Sequence, residues 1–167
     1  MKRRNGFWNS LMIAGVLAVS GLLSLSAGEL KPGTKAPVWI LKGLDDKDVK
    51  STDYSGKVVV LNFWATWCPP CVAEIPDFIE IQNELGGKGL TFVGVSLDQS
   101  PAPVKKYVKR TKVNYPVVMG DSEVVKDFGN ISGIPTTYVI DKGGVIRMSH
   151  VGKISKKKLL ASVKGLL

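Results

Sequence analysis

Residues 57–71 read KVVVLNFWATWCPPC, and this stretch decides the fold. Its first half is apolar and rich in β-branched residues on both faces of the pleat, which is typical of a central strand buried on both sides. The chain's two cysteines, Cys68 and Cys71, follow directly. Apolar residues then recur at helical spacing from 69 to 85. The stretch therefore predicts a buried strand that ends at a dithiol and leads into a helix.

The rest of the chain alternates between predicted strands and predicted helices. This alternation predicts an α/β sheet with parallel strands and helices on both faces. The last two strands are joined by a turn at 142–144 and form a hairpin, which makes the sheet mixed. Residues 43–56 are polar and turn-rich, and we interpret them as a loop. The predicted strands are 37–41, 57–64, 90–96, 115–119, 136–140 and 145–151, and the helices are 69–85, 101–112, 122–128 (capped by Ser122) and a last one capped by Ser155.

Residues 1–28 have the layout of an export segment. Lys2, Arg3 and Arg4 precede an uncharged apolar run at 11–25, and small residues follow it. The segment is also long enough to span a bilayer, so a cleaved signal peptide and a retained N-terminal membrane anchor both stay open. The basic start would keep the N-terminus in the cytoplasm. In both cases we expect residues 29–167 to form one exported domain, periplasmic or on the outer face of the cytoplasmic membrane.

Amino-acid composition and net charge limit the class of protein and the kinds of binding partner. The chain has 167 residues, 44% hydrophobic and 22% charged, which fits one folded domain and excludes a disordered chain. Its net charge is +9, and about +6 without Lys2, Arg3 and Arg4. This mildly basic balance suits work near an anionic membrane or on acidic partners, although a solvated basic surface explains it equally well. The basic run at 105–112 is interpreted as a solvated helix face. We expect no nucleic-acid partner.

Three roles are conceivable for the two thiols. A structural metal site needs about four ligands, and the chain's single histidine, His150, lies far along the sequence, so no structural metal is expected. A staple across so short a loop would add little stability. A redox couple fits best, because a helix N-terminus stabilises a thiolate at Cys68 and Cys71 lies one turn further on. Transient Cu(I) binding by a non-enzymatic copper-handling module stays open.

The motif NFWATWCPPC, with GIPTT downstream at 133–137, resembles the thioredoxin superfamily. The lead-in at 36–76 and an inserted strand and helix at 115–128 make the chain similar to the TlpA/ResA-like branch, whose members are exported, membrane-tethered thiol–disulfide oxidoreductases. The resemblance covers about residues 32–165. It implies a thioredoxin-like fold with an N-terminal strand extension. It also implies a redox-active Cys68–Cys71 disulfide, with no further cofactor.

The resemblance also gives roles to residues around the thiols. Pro135 matches the family's cis-proline, which leaves the backbone of Ile134 open to an extended substrate strand. Glu74 matches an acidic residue of this branch that exchanges protons with Cys71; a plain acid near a helix start is the alternative. Asn62 stands where ordinary thioredoxins have a buried aspartate, so Glu74 is the natural substitute. Pro76 matches a structural, helix-kinking proline. The candidate substrate-binding residues are Trp67, Pro69, Pro70, Gly133 and Ile134.

The dipeptide Pro69-Pro70 predicts the direction of the reaction. Neither proline has an N–H group, so the amide of Cys71 is the nearest donor to a Cys68 thiolate. A less stabilised thiolate makes a less oxidising couple, so we expect a reductant of protein disulfides. By resemblance, its electrons come from a transmembrane thiol carrier and its substrates include the haem-binding cysteines of apocytochrome c.

Two other kinds of enzyme are alternatives. A disulfide-introducing oxidant has the same fold but moves electrons in the opposite direction, from the substrate thiols to the protein. A peroxidase with a similar lead-in needs a threonine three residues before its reactive cysteine and a proline four residues earlier. Ala65 and Leu61 occupy those positions, so the peroxidase is disfavoured.

Overall fold

The computed structural model describes residues 30–167. The expected signal peptide or membrane anchor at 1–28 lies outside the described residues. The strands are β1 (Ile40–Gly43), β2 (Asp48–Lys50), β3 (Val58–Trp64), β4 (Leu90–Ser96), β5 (Val117–Met119), β6 (Thr136–Ile140) and β7 (Ile146–Val151). The helices are α1 (Pro69–Val72), α2 (Ile75–Leu85), α3 (Pro101–Thr111), α4 (Ser122–Asp127) and α5 (Lys156–Lys164), with 3-10 turns at Ser51–Tyr54 and Gly86–Lys88.

All seven strands form one mixed sheet in the order β2-β1-β5-β4-β3-β6-β7. The neighbours β3, β4 and β5 run parallel, and the remaining pairs are antiparallel. Because β3 and β6 are antiparallel, the end of β3 lies beside the start of β6, where Phe63 pairs with Thr136. The predicted mixed α/β sheet is confirmed. This topology brings the residues after β3 and β4 and those before β6 to the same edge.

Helices cover both faces of the sheet, as the alternation of elements predicted. Along β3 the even-numbered residues face a layer formed by α1, α2, α3 and α5, and the odd-numbered residues face the layer that contains α4. All seven residues of β3 are buried. The sheet contacts Phe78 of α2 and Leu159 of α5 on one side, and Val124 of α4 on the other.

The N-terminal part of the sheet differs from the prediction. The first strand begins at Ile40 rather than at Pro37, because pairing starts only where β2 and β5 lie opposite it. The predicted loop at 43–56 contains β2, which forms a hairpin with β1. Asp46 has a φ of 66° in the tight turn between them, a conformation that aspartate tolerates better than most residues. A three-residue strand is too short to show an alternating pattern in the sequence.

Two helix predictions also needed correction. The single helix expected at 69–85 is divided between α1 and α2, with Ala73 and Glu74 between them. Pro76 lies at the start of α2 and has no N–H to continue the helical hydrogen bonding, which agrees with a kink. Helix α4 is capped by Asp121 rather than by Ser122, since the Asp121 carboxylate accepts the N–H of Val124 at 2.8 Å.

Candidate active site

Cys68 and Cys71 lie at the end of β3 and form a disulfide bond. Cys68 is the N-cap of α1, and the backbone N–H of Cys71 donates to its Sγ at 3.3 Å. Cys68 is only 4% exposed and Cys71 is fully buried. The small exposed surface of the pair belongs to Cys68, whereas Cys71 is shielded by the fold. The predicted donor from Cys71 to Cys68 is present in this oxidised state.

The Gly133-Ile134-Pro135 loop lies against Cys68. The Ile134–Pro135 peptide bond is cis, and the carbonyl oxygen of Ile134 lies 3.7 Å from Cys68 Sγ. The loop is held at both ends: the Thr136 hydroxyl donates to Gly133 O at 2.7 Å, and the Gly152 N–H donates to Pro135 O at 2.7 Å. Within residues 30–167, the N–H of Ile134 makes no hydrogen bond. The loop that lies against the sulfur thus carries a backbone donor without a partner among the described residues.

Three of the candidate substrate-binding residues lie on the surface around Cys68. Pro69 and Pro70 are exposed, and the Trp67 side chain is 65% exposed. Large apolar side chains are usually buried, so the exposed indole near Cys68 keeps Trp67 a candidate for contact with a substrate. Gly133 and Ile134 are half-buried on the neighbouring loop. The structure therefore brings all five candidate residues to the rim of the Cys68 site.

Glu74 is fully buried in the break between α1 and α2. Its Oε1 accepts a hydrogen bond from Asn62 Nδ2 at 3.0 Å, and its Oε2 accepts one from the N–H of Ile154 at 3.1 Å. Burial raises the pKa of Glu74 to about 7, against the opposing effect of these two hydrogen bonds and of the Lys153 charge. The carboxyl group thus changes its charge near neutral pH, as a proton-exchanging residue must.

Asn62 joins this group to the sheet. Its Nδ2 also donates to Thr137 Oγ1 at 3.0 Å, so one amide links Glu74 to β6. Asn62 stands where a strand aspartate was expected in ordinary thioredoxins, and Glu74 was expected to take the place of that aspartate. The structure gives this substitution a basis, because Asn62 binds Glu74 directly. The contact with Ile154 was not predicted, because the two residues are 80 positions apart.

Asp98, which follows β4 at the same edge of the sheet, was not predicted from the sequence. Its carboxylate is buried and accepts hydrogen bonds from the backbone and the side chain of Thr66, two residues before Cys68. The signal present in the sequence was an acid placed just after a buried apolar strand that runs parallel to β3. Carboxyl ends of parallel strands meet at one edge, and polar residues there often serve the site.

The arrangement supports thiol–disulfide exchange. Cys68 lies at a helix N-terminus and keeps a small exposed surface, and Cys71 is buried behind it. Glu74, whose pKa is raised to about 7, lies one turn further on. Among residues 30–167 there is no group of three or more histidine, cysteine, aspartate or glutamate side chains arranged to hold a metal ion. The same residues contain no helix that is both long and apolar enough to cross a membrane.

Comparisons with known proteins agree with this chemistry. The model of the AhpC/TSA family matches residues 32–149. Thiol-disulfide oxidoreductase ResA from Bacillus thuringiensis is 33% identical over 132 residues, which cover 78% of this chain and 76% of that protein. A Chlorobium tepidum structure described as a putative thiol:disulfide interchange protein DsbE has a TM-score of 0.77 at 30% identity, covering 83% of this chain and 99% of that one.

A secreted thiol-disulfide isomerase from Corynebacterium glutamicum is also similar, with a TM-score of 0.73 and 26% identity over 78% of this chain and 84% of that one. Residues 32–149, which the family model matches, contain the dithiol and the cis-proline loop. The chain therefore belongs to the AhpC/TSA family, as a thiol–disulfide oxidoreductase of the ResA and DsbE type with a thioredoxin-like fold.

Proposed function

We propose that this protein is an exported reductant of protein disulfides. The observation that carries the proposed direction is the hydrogen bonding of Cys68. Two prolines occupy the first two positions of α1, so the N–H of Cys71 is the one backbone donor of the first turn that reaches its sulfur. A thiolate with few donors is costly to form, and a costly thiolate favours the disulfide over the dithiol.

The surroundings of the sulfurs support the same direction. Both pack in an apolar cluster with Trp64, Ile75 and Val104. An apolar environment accepts an uncharged disulfide more readily than a thiolate, because burying a charge without compensation is expensive. The oxidised pair is then the stable product, and the reduced pair passes its electrons on.

The reaction begins with the Cys68 thiolate. It attacks one sulfur of a substrate disulfide, a mixed disulfide forms, and the other substrate sulfur leaves as a thiolate that takes a proton. Cys71 then gives its proton to Glu74 and attacks Cys68 Sγ. The Cys68–Cys71 disulfide forms, and the second substrate sulfur leaves as a thiolate that takes a proton from the solvent. Two electrons have moved from the protein to the substrate, which leaves the pair oxidised, as it is in the structure.

The Ile134 loop positions the substrate in this scheme. An extended substrate segment pairs with the N–H of Ile134 beside Cys68, and Pro135 keeps that backbone turned toward it. Trp67, Pro69 and Pro70 supply an apolar rim. We propose the haem-binding cysteines of apocytochrome c as a substrate and a transmembrane thiol carrier as the electron donor. The secretion-type layout of residues 1–28 supports an exported location.

The reduction potential of the Cys68–Cys71 pair tests the direction. The full-length chain in detergent and, in parallel, a fragment starting at residue 29 would be equilibrated in graded thiol buffers, and free thiols counted by mass shift after alkylation. A value near that of thioredoxin, about −270 mV, supports the reductant. A value near about −120 mV would make the protein a disulfide-introducing oxidant instead. Transfer of electrons to an oxidised apocytochrome c peptide then tests the substrate.

A further inference from the structure

Asp98 forms a compact group of hydrogen bonds next to the dithiol. Its Oδ2 accepts the Thr66 N–H at 2.9 Å and the Ser96 hydroxyl at 2.8 Å, and its Oδ1 accepts the Thr66 hydroxyl at 2.6 Å. The Asp98 N–H in turn donates to Ser96 Oγ at 3.2 Å. The residue is only 7% exposed. A buried carboxylate with both oxygens occupied orders the groups that bind it.

These hydrogen bonds fix one end of a short turn that carries Trp67. The other end is fixed by Cys68, whose N–H donates to Ala65 O at 3.2 Å and whose sulfur is tied to α1. The backbone on both sides of Trp67 is therefore held, while the indole itself stays largely exposed. A partner that packs against a residue ordered in advance loses less conformational entropy on binding.

We propose that Asp98 is a positioning residue: it holds the Thr66–Trp67 turn so that Trp67 is presented beside Cys68 as a rigid apolar contact for the polypeptide around the substrate disulfide. This inference rests on the proposed function, in which a protein disulfide is the substrate. We expect a small disulfide to depend less on contact with Trp67 than a polypeptide does, so the two kinds of substrate separate the role of Asp98 from the chemistry of the sulfurs.

Single-turnover reduction tests the proposal with the reduced full-length chain in detergent. The second-order rate constants for insulin, as a protein disulfide, and for oxidised glutathione, as a small disulfide, are compared in Asp98→Ala, Trp67→Ala and the double variant. We expect Asp98→Ala to lower the ratio of the insulin to the glutathione rate constant by about two- to tenfold, the cost of ordering a large side chain. In the Trp67→Ala background the same change should have little further effect.

Two outcomes would overturn the proposal: an equal loss of rate with both substrates, or effects of Asp98→Ala and Trp67→Ala that multiply in the double variant. Thr66→Val removes one of the hydrogen bonds and gives a milder version of the test should Asp98→Ala fold poorly. Asp121→Asn is the matched control, because that aspartate caps α4 on the opposite face. It should leave the ratio unchanged.

A measurement made without substrate tests the positioning role of Asp98 independently of the proposed function. The chain labelled with 5-fluorotryptophan gives a fluorine resonance for Trp67 that is assigned by its loss in Trp67→Phe. We expect one sharp resonance in the parent chain and a broadened or divided one in Asp98→Ala. An unchanged resonance would refute the positioning role. Failure of the parent chain to reduce insulin and glutathione alike, with the fluorine result as expected, would reject the proposed function alone.

Discussion

At the scale of single residues, burial strongly raises the pKa of Glu74, the acid beside the dithiol. Folding raises it from 4.5 to about 7, so the folded chain binds this proton more tightly than the unfolded chain. The contribution of Glu74 to the unfolding free energy is therefore complete below about pH 4.5 and falls as the pH rises toward 7. A shift of this size corresponds to about 3 kcal/mol.

Replacing Glu74 by Gln tests this dependence. We expect the wild-type chain to lose about 3 kcal/mol of unfolding free energy between pH 4.5 and 7.5 relative to the Glu74→Gln variant, because glutamine does not ionise. Urea unfolding of the oxidised proteins at several pH values measures the difference. Only the slopes of unfolding free energy against pH are compared. The amide nitrogen of glutamine cannot accept the Ile154 N–H, so the substitution itself lowers the stability at every pH. Parallel slopes for the two proteins would contradict the raised pKa.

Pro70 tests the link between the helix start and the cysteine pKa. An N-cap side chain accepts hydrogen bonds from the second or third helical N–H, and Pro70 removes the second. Pro70→Ala restores that donor, so the pKa of Cys68 in the reduced protein should fall by about one unit. The ultraviolet absorbance of the thiolate during a pH titration measures it.

Pro69→Ala is the matched control for this change. It restores the first N–H, which an N-cap side chain uses less, so its effect on the Cys68 pKa should be smaller. An unchanged or higher Cys68 pKa in Pro70→Ala would mean that the missing proline N–H groups do not set the reducing direction.

At the scale of elements, the sequence interpretation and the structure assign the N-cap of α4 to different residues. The sequence suggested Ser122, whereas the structure has Asp121 accepting the Val124 N–H. Asp121→Ala should therefore lower the unfolding free energy by about 1 kcal/mol, and Ser122→Ala should change it far less. Denaturant unfolding of the two variants decides between the caps. A larger loss in Ser122→Ala would favour the sequence interpretation. Neither variant should alter the reduction potential, because α4 covers the face away from the sulfurs.

The elements that the sequence predicted well are those with a long local pattern. β3 and β4 are continuous apolar runs, and both were predicted with nearly correct ends. β2 was missed because its three residues form a strand only by pairing with β1. The break between α1 and α2 was not predicted from the helical spacing, because apolar residues continue through it at the same spacing.

The candidate site shows the same division between local and distant information. The dithiol and Pro135 stand in short motifs, so the resemblance could point to them. The contacts that set the properties of Glu74 come from Asn62 on β3 and Ile154 before α5. Asp98 likewise gains its role only where the ends of β3 and β4 meet. Such contacts depend on the folded topology and produce no recognisable spacing of residues in the sequence.

At the scale of the whole molecule, the redox state and the stability of the fold are linked. A disulfide that is more stable in the folded chain than in the unfolded chain makes the oxidised protein harder to unfold by the same free energy. For a reductant we therefore expect the oxidised form to have the larger unfolding free energy. Each 30 mV by which folding lowers the potential of the pair corresponds to about 1.4 kcal/mol.

Urea unfolding of the oxidised and the reduced chain measures this linkage without any substrate. The apolar cluster around Cys71 and the single donor to Cys68 both disfavour a thiolate in the folded state, so both should raise the stability of the oxidised form over the reduced one. Cys71→Ser is the control, since without the disulfide its unfolding should not depend on added reductant. A reduced form more stable than the oxidised form would mean that folding raises the reduction potential of the pair. The direction proposed for this protein would then have to be reversed.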